Sequence, residues 1–330
     1  MKRRLLLLLA IVLSATLLPS PAQAAPLAPP LRIGIAYDTG GPGDHSYNDA
    51  VANGISAAKK RIKFQVLATV TVGTEADRIL RLKNLVAMGA TSIIAVGSGY
   101  VSALRSVAQL FPNNQFAIIN DATVNMLNVA SLVFAEDQAG YLAGIAAAYA
   151  TKKGRVGFLG SSTQSNKYEL GFIAGARAVK KDLIFKISYV NGSAGLAAAS
   201  LISAGVDIIF LTLPGSDSDV INAIARANKS GAGAGLIVIE PDQYVTLALG
   251  TKRYIVASVM KRVDKVVVDF ISESSAGRSV IDILDSKEGI YGRRYGIRNG
   301  GIEISLWSPA LAKYRKPIYI AALNAGRTSK

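Results

Sequence analysis

The side chains in this 330-residue chain that could do chemistry are gathered in short polar stretches. The first, TGGPGDHSYNDAVANG over residues 39–54, sets Asp44, the only histidine (His45), Ser46, Tyr47 and Asn48 in consecutive positions among four glycines. Other acids stand in similar company: Asp121 in NDA, and Glu240 and Asp242 in EPDQY. Carboxylates accept pairs of hydroxyl or N–H hydrogens, which suits a sugar or a nucleobase. They suit a free phosphate poorly, and no GxxxxGK[ST] phosphate loop is present. GSGY at 97–100 lacks the third glycine of a dinucleotide fingerprint, so no nucleotide cofactor is indicated.

A single histidine cannot build a histidine-based triad or a zinc site with several histidines. The chain has no cysteine, which excludes disulfides, thiolate metal sites and cysteine nucleophiles. A carboxylate-only calcium site stays open, although the EF-hand spacing is absent. The sequence therefore supplies no reaction centre, and the expectation is a binding protein without cofactor or metal. The enzymatic alternative is a glycosidase, which would need two carboxylates at a defined separation.

The elements that would position these residues follow from the apolar pattern. Short β-type runs, LRIGIAY (31–37), FQVLATV (64–70), SIIAV (92–96) and QFAIIN (115–120), alternate with segments whose apolar residues recur at helical spacing. The rhythm restarts with the small-residue helix AGYLAGIAAAYAT, then RVGFLG (155–160), LIFKISYV (183–190), DIIFLT (207–212) and GLIVIE (235–240). Near-continuous apolar strands separated by helices describe an α/β protein with doubly wound parallel sheets in two lobes. The expected bounds are an N-terminal lobe at 31–125, completed by about 255–285, and a C-terminal lobe at 126–254. A segment at 286–330 would return over the lobes, with EGIYGRRYGIRNGGIEISLW as a β-hairpin. Ligands of such sheets lie beyond the carboxyl ends of the strands. The loops after seven of these eight strands, all but FQVLATV, are polar, small or acidic, which turns alone also favour but which together point to one interlobe cleft.

The first residues read as an export signal. MKRR, an apolar LLLLLAIVLSATLL and the small-x-small Ala22-Gln23-Ala24 predict a signal peptide over 1–24, removed before Ala25. The alternative is a retained anchor, for which the apolar run is shorter than the roughly 20 residues of a span. An exported protein without a lipobox cysteine would be periplasmic or cell-surface associated, and a monomer is expected. The formal charge of +15 falls by three when Lys2, Arg3 and Arg4 leave. Lysine and arginine are scattered, with no basic run interleaved with aromatics. That predicts no nucleic-acid partner and suits work beside an anionic membrane.

Several stretches, taken in order, resemble the BMP family, the basic membrane protein or purine nucleoside receptor type. GDHSYNDAVANG is similar to its D-x-S-F-N…G signature, with Tyr47 for phenylalanine. FPNNQFAIIND resembles the segment that places an aspartate at 121. FAEDQAGYLAGIAAAYATKKGRVGFLG resembles its Y-L-A-G helix leading into G-x-V-G-F-x-G, and YELGFIAGARA its F-x-x-G-F-x-x-G helix. VIEPDQY and ASVMKRVDKVV resemble its acidic and lysine segments. The resemblance implies a periplasmic-binding type I fold, a nucleoside ligand and an ABC transporter permease as partner. By position it implies that Asp44, Asn48 and Tyr47 read the base, that Asp121 also binds, and that Glu240 and Lys261 hold the ribose. Ser46, Gly99 and Phe172 complete the candidate ligand set. The chain departs from the family with Glu240 for aspartate, with no aromatic in NGSAGLA, and without the lipobox cysteine. A ligand-sensing regulator of the same fold is the functional alternative.

Overall fold

The computed structural model describes residues 30–328 except 163–164, 191, 214, 216 and 240–242. The opening run forms β1 (Arg32–Tyr37), followed by α1 (Tyr47–Lys59), β2 (Gln65–Val70), α2 (Glu75–Ala87), β3 (Ser92–Val96), α3 (Val101–Leu110), β4 (Gln115–Ile119) and β5 (Val129–Phe134). Helix α4 (Glu136–Ala150) leads to β6 (Arg155–Gly160), α5 (Lys167–Val179), β7 (Ile184–Tyr189), α6 (Ala194–Ser203), β8 (Ile208–Leu211), α7 (Asp217–Lys229), β9 (Gly235–Ile239) and β10 (Ile255–Lys261). The chain ends through α8 (Val263–Ser275), β11 (Asp282–Asp285), β12 (Ile290–Tyr295), β13 (Ile302–Leu306) and α9 (Arg315–Thr328).

These strands make two sheets, ordered β11-β12-β5-β4-β3-β1-β2 and β13-β10-β9-β8-β6-β7. All pairings are parallel except β11 on β12 and β13 on β10. Burial follows position in the sheet. The inner strands β3, β8 and β9 are buried at every residue, whereas the edge strands β2 and β7 have no fully buried residue. That is the pattern of a parallel sheet covered on both faces, and the architecture is the two-lobed periplasmic-binding type I fold.

The expected hairpin near the C-terminus is not formed. β12 pairs with β5 and β11 in the first sheet, while β13 pairs with β10 in the second. Local alternation marks a strand without naming its partner. The chain therefore passes between sheets at α4, around α8 and through residues 296–301.

Helices α4 and α5 pack backbone to backbone. Gly140 and Gly144 of α4 face Gly171 and Gly175 of α5. A Cβ at any of them would overlap a carbonyl oxygen of the facing helix, those of Tyr168, Phe172, Asp137 and Tyr141 respectively. Side chains normally hold helix axes 8–10 Å apart, and glycine at four facing positions removes that spacer. At the far end of α4, the buried Asp207 carboxylate accepts from Thr151 Oγ1 (2.5 Å) and from the backbone N–H of Lys152 (2.7 Å) and Lys153 (3.0 Å). No helix among the described residues is long and apolar enough to cross a membrane.

Candidate functional site

The carboxyl ends of strands from both sheets meet around one lysine. Lys261, the last residue of β10, is only 4% exposed. Its Nζ donates to the Tyr47 hydroxyl at 3.0 Å and lies 3.4 Å from Asn120 Oδ1. It also stands 5.5 Å from the ring centre of Tyr168 and 5.8 Å from those of Tyr47 and Phe134. A buried ammonium loses its hydration, and these oxygens and ring faces replace part of it.

Each partner is brought there by a different element. Tyr47 opens α1 after β1, and Tyr168 stands in the first turn of α5. Phe134 closes β5. Asn120 follows β4 with φ at +65°, a left-handed conformation that asparagine tolerates better than most residues, and its N–H donates to Leu132 O at 2.8 Å. Lys261 comes from the second sheet, whereas Phe134 ends a strand of the first and Tyr47 and Asn120 follow two others of its strands, β1 and β4.

Other residues of the opening loop serve the loop itself. The Asp44 carboxylate accepts the backbone N–H groups of Ser46 (2.8 Å), Asn48 (3.2 Å) and Asp49 (3.2 Å), so it satisfies the free donors at the start of α1. Asp49 returns the favour by accepting from Gly43 (2.5 Å) and His45 (3.0 Å). Asn48, 2% exposed, accepts from Asp38 N at 3.1 Å and donates toward the carbonyls of Asp38 and Thr39 at 3.4 Å. Its amide is spent on the turn after β1. Ser46 is the N-cap residue of α1, without a side-chain capping bond.

The remaining expected residues divide. Asp121 is half-buried, and its Oδ1 accepts from Thr123 N (2.8 Å) and Thr123 Oγ1 (2.6 Å). Gly99 lies against the Arg78 guanidinium, where a Cβ would come within 2.8 Å of Nη2. Phe172 has no exposed surface and stacks on Phe210 at 5.5 Å inside the core. It is not at the strand ends. Glu240 lies outside the described residues. No group of three or more acids and histidines that could hold a metal ion occurs among the described residues.

The structure adds a cluster that sequence reading overlooked. Arg78 of α2 donates to Asp38 Oδ1 (3.0 Å) and Gly73 O (2.6 Å), and its guanidinium lies 5.5 Å from the Tyr100 ring centre. The Tyr100 hydroxyl donates to Tyr37 O at 2.9 Å; burial, with Asp38 adding, raises its phenol well above the ordinary range. The available signal was Asp38, the residue directly after β1. On the second sheet, Tyr189 ends β7 with its hydroxyl donating to Glu169, which with burial pushes its phenol up to about 12.

Comparison with known proteins gives the family and the fold. A family model described as Bmp, ABC transporter substrate-binding protein PnrA-like, covers residues 33–321. The ABC transporter nucleoside-binding protein BmpA of Lactococcus lactis is 25% identical over 294 residues, spanning 84% of this chain and 82% of that protein. A CD4+ T-cell-stimulating antigen of Listeria monocytogenes is 30% identical over 269 residues, 74% of each chain. Among solved structures, an ABC transporter solute-binding protein of Aeropyrum pernix superposes with a TM-score of 0.65 at 21% identity, over 90% of this chain and 86% of that one.

Proposed function

The chain belongs to the Bmp family of PnrA-like ABC transporter substrate-binding proteins, and on that premise we propose that it captures a nucleoside, of purine type, for an ABC importer. The observation that carries this reading is the reach of Lys261 from the second sheet to Tyr47 and Asn120, which follow strands of the first. A ligand entering between the sheets meets a cation that can donate to ribose hydroxyls and aromatic faces that can cover a base. Asp121 supplies a carboxylate for base N–H groups, and Glu240 completes the ribose contacts. Asp44 and Asn48 act at one remove, by fixing the loop from which Tyr47 projects.

In this reading the lobes close on the ligand by bending where the chain passes between sheets. The protein acts after export, as a monomer, beside the membrane that holds its permease. The support for export is the charged and apolar leader over residues 1–24. The support for the ligand class is the Lactococcus relative, a nucleoside-binding protein.

Thermal-shift screening of purine and pyrimidine nucleosides, followed by calorimetry, tests the proposal. A true ligand at 100 times its Kd should add about 2.7 kcal/mol of stability. A panel in which no nucleoside raises the melting temperature, while another solute class does, would displace the nucleoside reading.

A further inference from the structure

A cavity of about 730 Å³ lies away from Lys261, between the edge strand β13 and helix α9. Its walls are mainly apolar, with Leu142 of α4, Ile302 and Ile304 of β13, and Ile318 of α9. Arg298 and Arg315 also line it. Both are exposed, and neither makes an ion pair among the described residues. The one acid in the lining, Glu303, is already held by Arg262 at 2.7 Å. Unpaired arginines are common on so basic a surface. These two differ in lining an apolar chamber whose volume falls within the usual range for small-molecule sites.

We propose that this cavity is a second binding site, for a fatty-acid-like carboxylate. Arg298 and Arg315 hold the headgroup, and the alkyl chain lies along Leu142, Ile302, Ile304 and Ile318. Guanidinium groups recognise carboxylates through paired N–H bonds, which favours this headgroup over a neutral or cationic one. The site has a built-in reporter. Trp307, the only tryptophan, lines the cavity and stacks on Tyr244 at 3.9 Å with the rings 5° from parallel. Its Nε1 donates to Ser258 Oγ at 3.0 Å. Tyr244 belongs to a four-residue helix, Gln243–Thr246, between β9 and β10, so occupancy of the cavity is felt beside the end of β9. The inference goes beyond the nucleoside reading and does not depend on it.

The test titrates the full chain with octanoate, decanoate and dodecanoate below their micelle concentrations, with dodecanol and dodecyltrimethylammonium as headgroup controls. Trp307 emission and equilibrium dialysis are read together. The expected result is saturable binding of one carboxylate per chain, tightening about fourfold per added methylene until the cavity is full. The double variant Arg298→Gln with Arg315→Gln should weaken dodecanoate at least tenfold, leave dodecanol unchanged and keep the melting temperature. The proposal is overturned if dialysis shows no saturable uptake of dodecanoate. It is equally overturned if either control binds as tightly as dodecanoate, or if the double variant binds dodecanoate with wild-type affinity.

Discussion

Lys261 at the end of β10 and Tyr47 at the start of α1 are joined by a 3.0 Å hydrogen bond from ammonium to hydroxyl. The bond ties the end of β10 to the start of α1 and gives the lysine a fixed direction. Replacing Lys261 by methionine keeps most of its volume and removes its charge. The variant should lose about 1.5–3 kcal/mol of nucleoside affinity, the range for a hydrogen bond to a charged group. Its melting temperature without ligand should also fall, because the Tyr47 hydroxyl and Asn120 Oδ1 lose their donor. Calorimetry and thermal denaturation on the same samples separate the two effects. A variant that binds normally would remove Lys261 from the site.

Asn48→Ala should act on the fold before it acts on binding. The substitution leaves the part-buried backbone N–H of Asp38 without its acceptor, which costs about 1 kcal/mol, the low end for an unmet donor. Denaturant titration without ligand should show that loss. If instead stability is unchanged and only nucleoside affinity drops, Asn48 touches the ligand and the turn is held by other means.

Gly144→Ala places a methyl group on the backbone of α5. Overpacking a tight contact costs about 1–3 kcal/mol, and here the obstacle is main chain, which gives way less easily than a side chain. Gly250→Ala is the control, since a Cβ there meets nothing within 4 Å. The first should lower the melting temperature by several degrees and the second should not. Equal behaviour would mean that the α4–α5 crossing is looser than the structure shows.

Acid should weaken the junction after β10. Arg262 donates to both oxygens of Asp264 (2.9 and 2.7 Å) and to Glu303 (2.7 Å). Burial raises the Asp264 carboxyl, but the Arg262 hydrogen bonds and charge outweigh it, and the net direction is downward from the ordinary value of 3.8. A carboxylate with a depressed folded value contributes stability above its unfolded value and loses it as pH falls through the folded one. Stability should therefore decline below about pH 4, where an unfolded aspartate takes up its proton, and Asp264→Asn should flatten that decline. Parallel wild-type and variant curves between pH 5 and 2 would show that Asp264 does not carry the effect.

Much of the fold was legible because inner strands of a covered parallel sheet are apolar throughout. SIIAV and GLIVI announce themselves for that reason. β5 and β10 were harder. VASLVF and IVASVMK carry buried serines, Ser131 and Ser258, inside otherwise apolar runs. Pairing partners far along the chain left no local mark, which is why β12 and β13 read as one hairpin. In the candidate site, the 3.0 Å contact between Lys261 and Tyr47 left no mark in the sequence, because the two residues stand 214 positions apart. The roles of Asp44 and Asn48 were hidden because the side chains that cap helices are those that bind ligands. Phe172 had the spacing of a helix face, but spacing cannot say whether that face looks toward solvent or core.

The placing of β12 beside β5 bears on how the chain comes into being. Ser131 pairs with Gly292, so the first sheet receives an inner strand from near the C-terminal end of the polypeptide. A chain that emerges amino end first has β1 to β5 available long before that strand arrives. During that interval one side of β5 is an open template for any other extended segment. Non-local pairing also delays folding, so the first sheet stays incomplete at least until residue 295 has been made. Shielding the open side of β5 until residue 295 has emerged would remove that mispairing route.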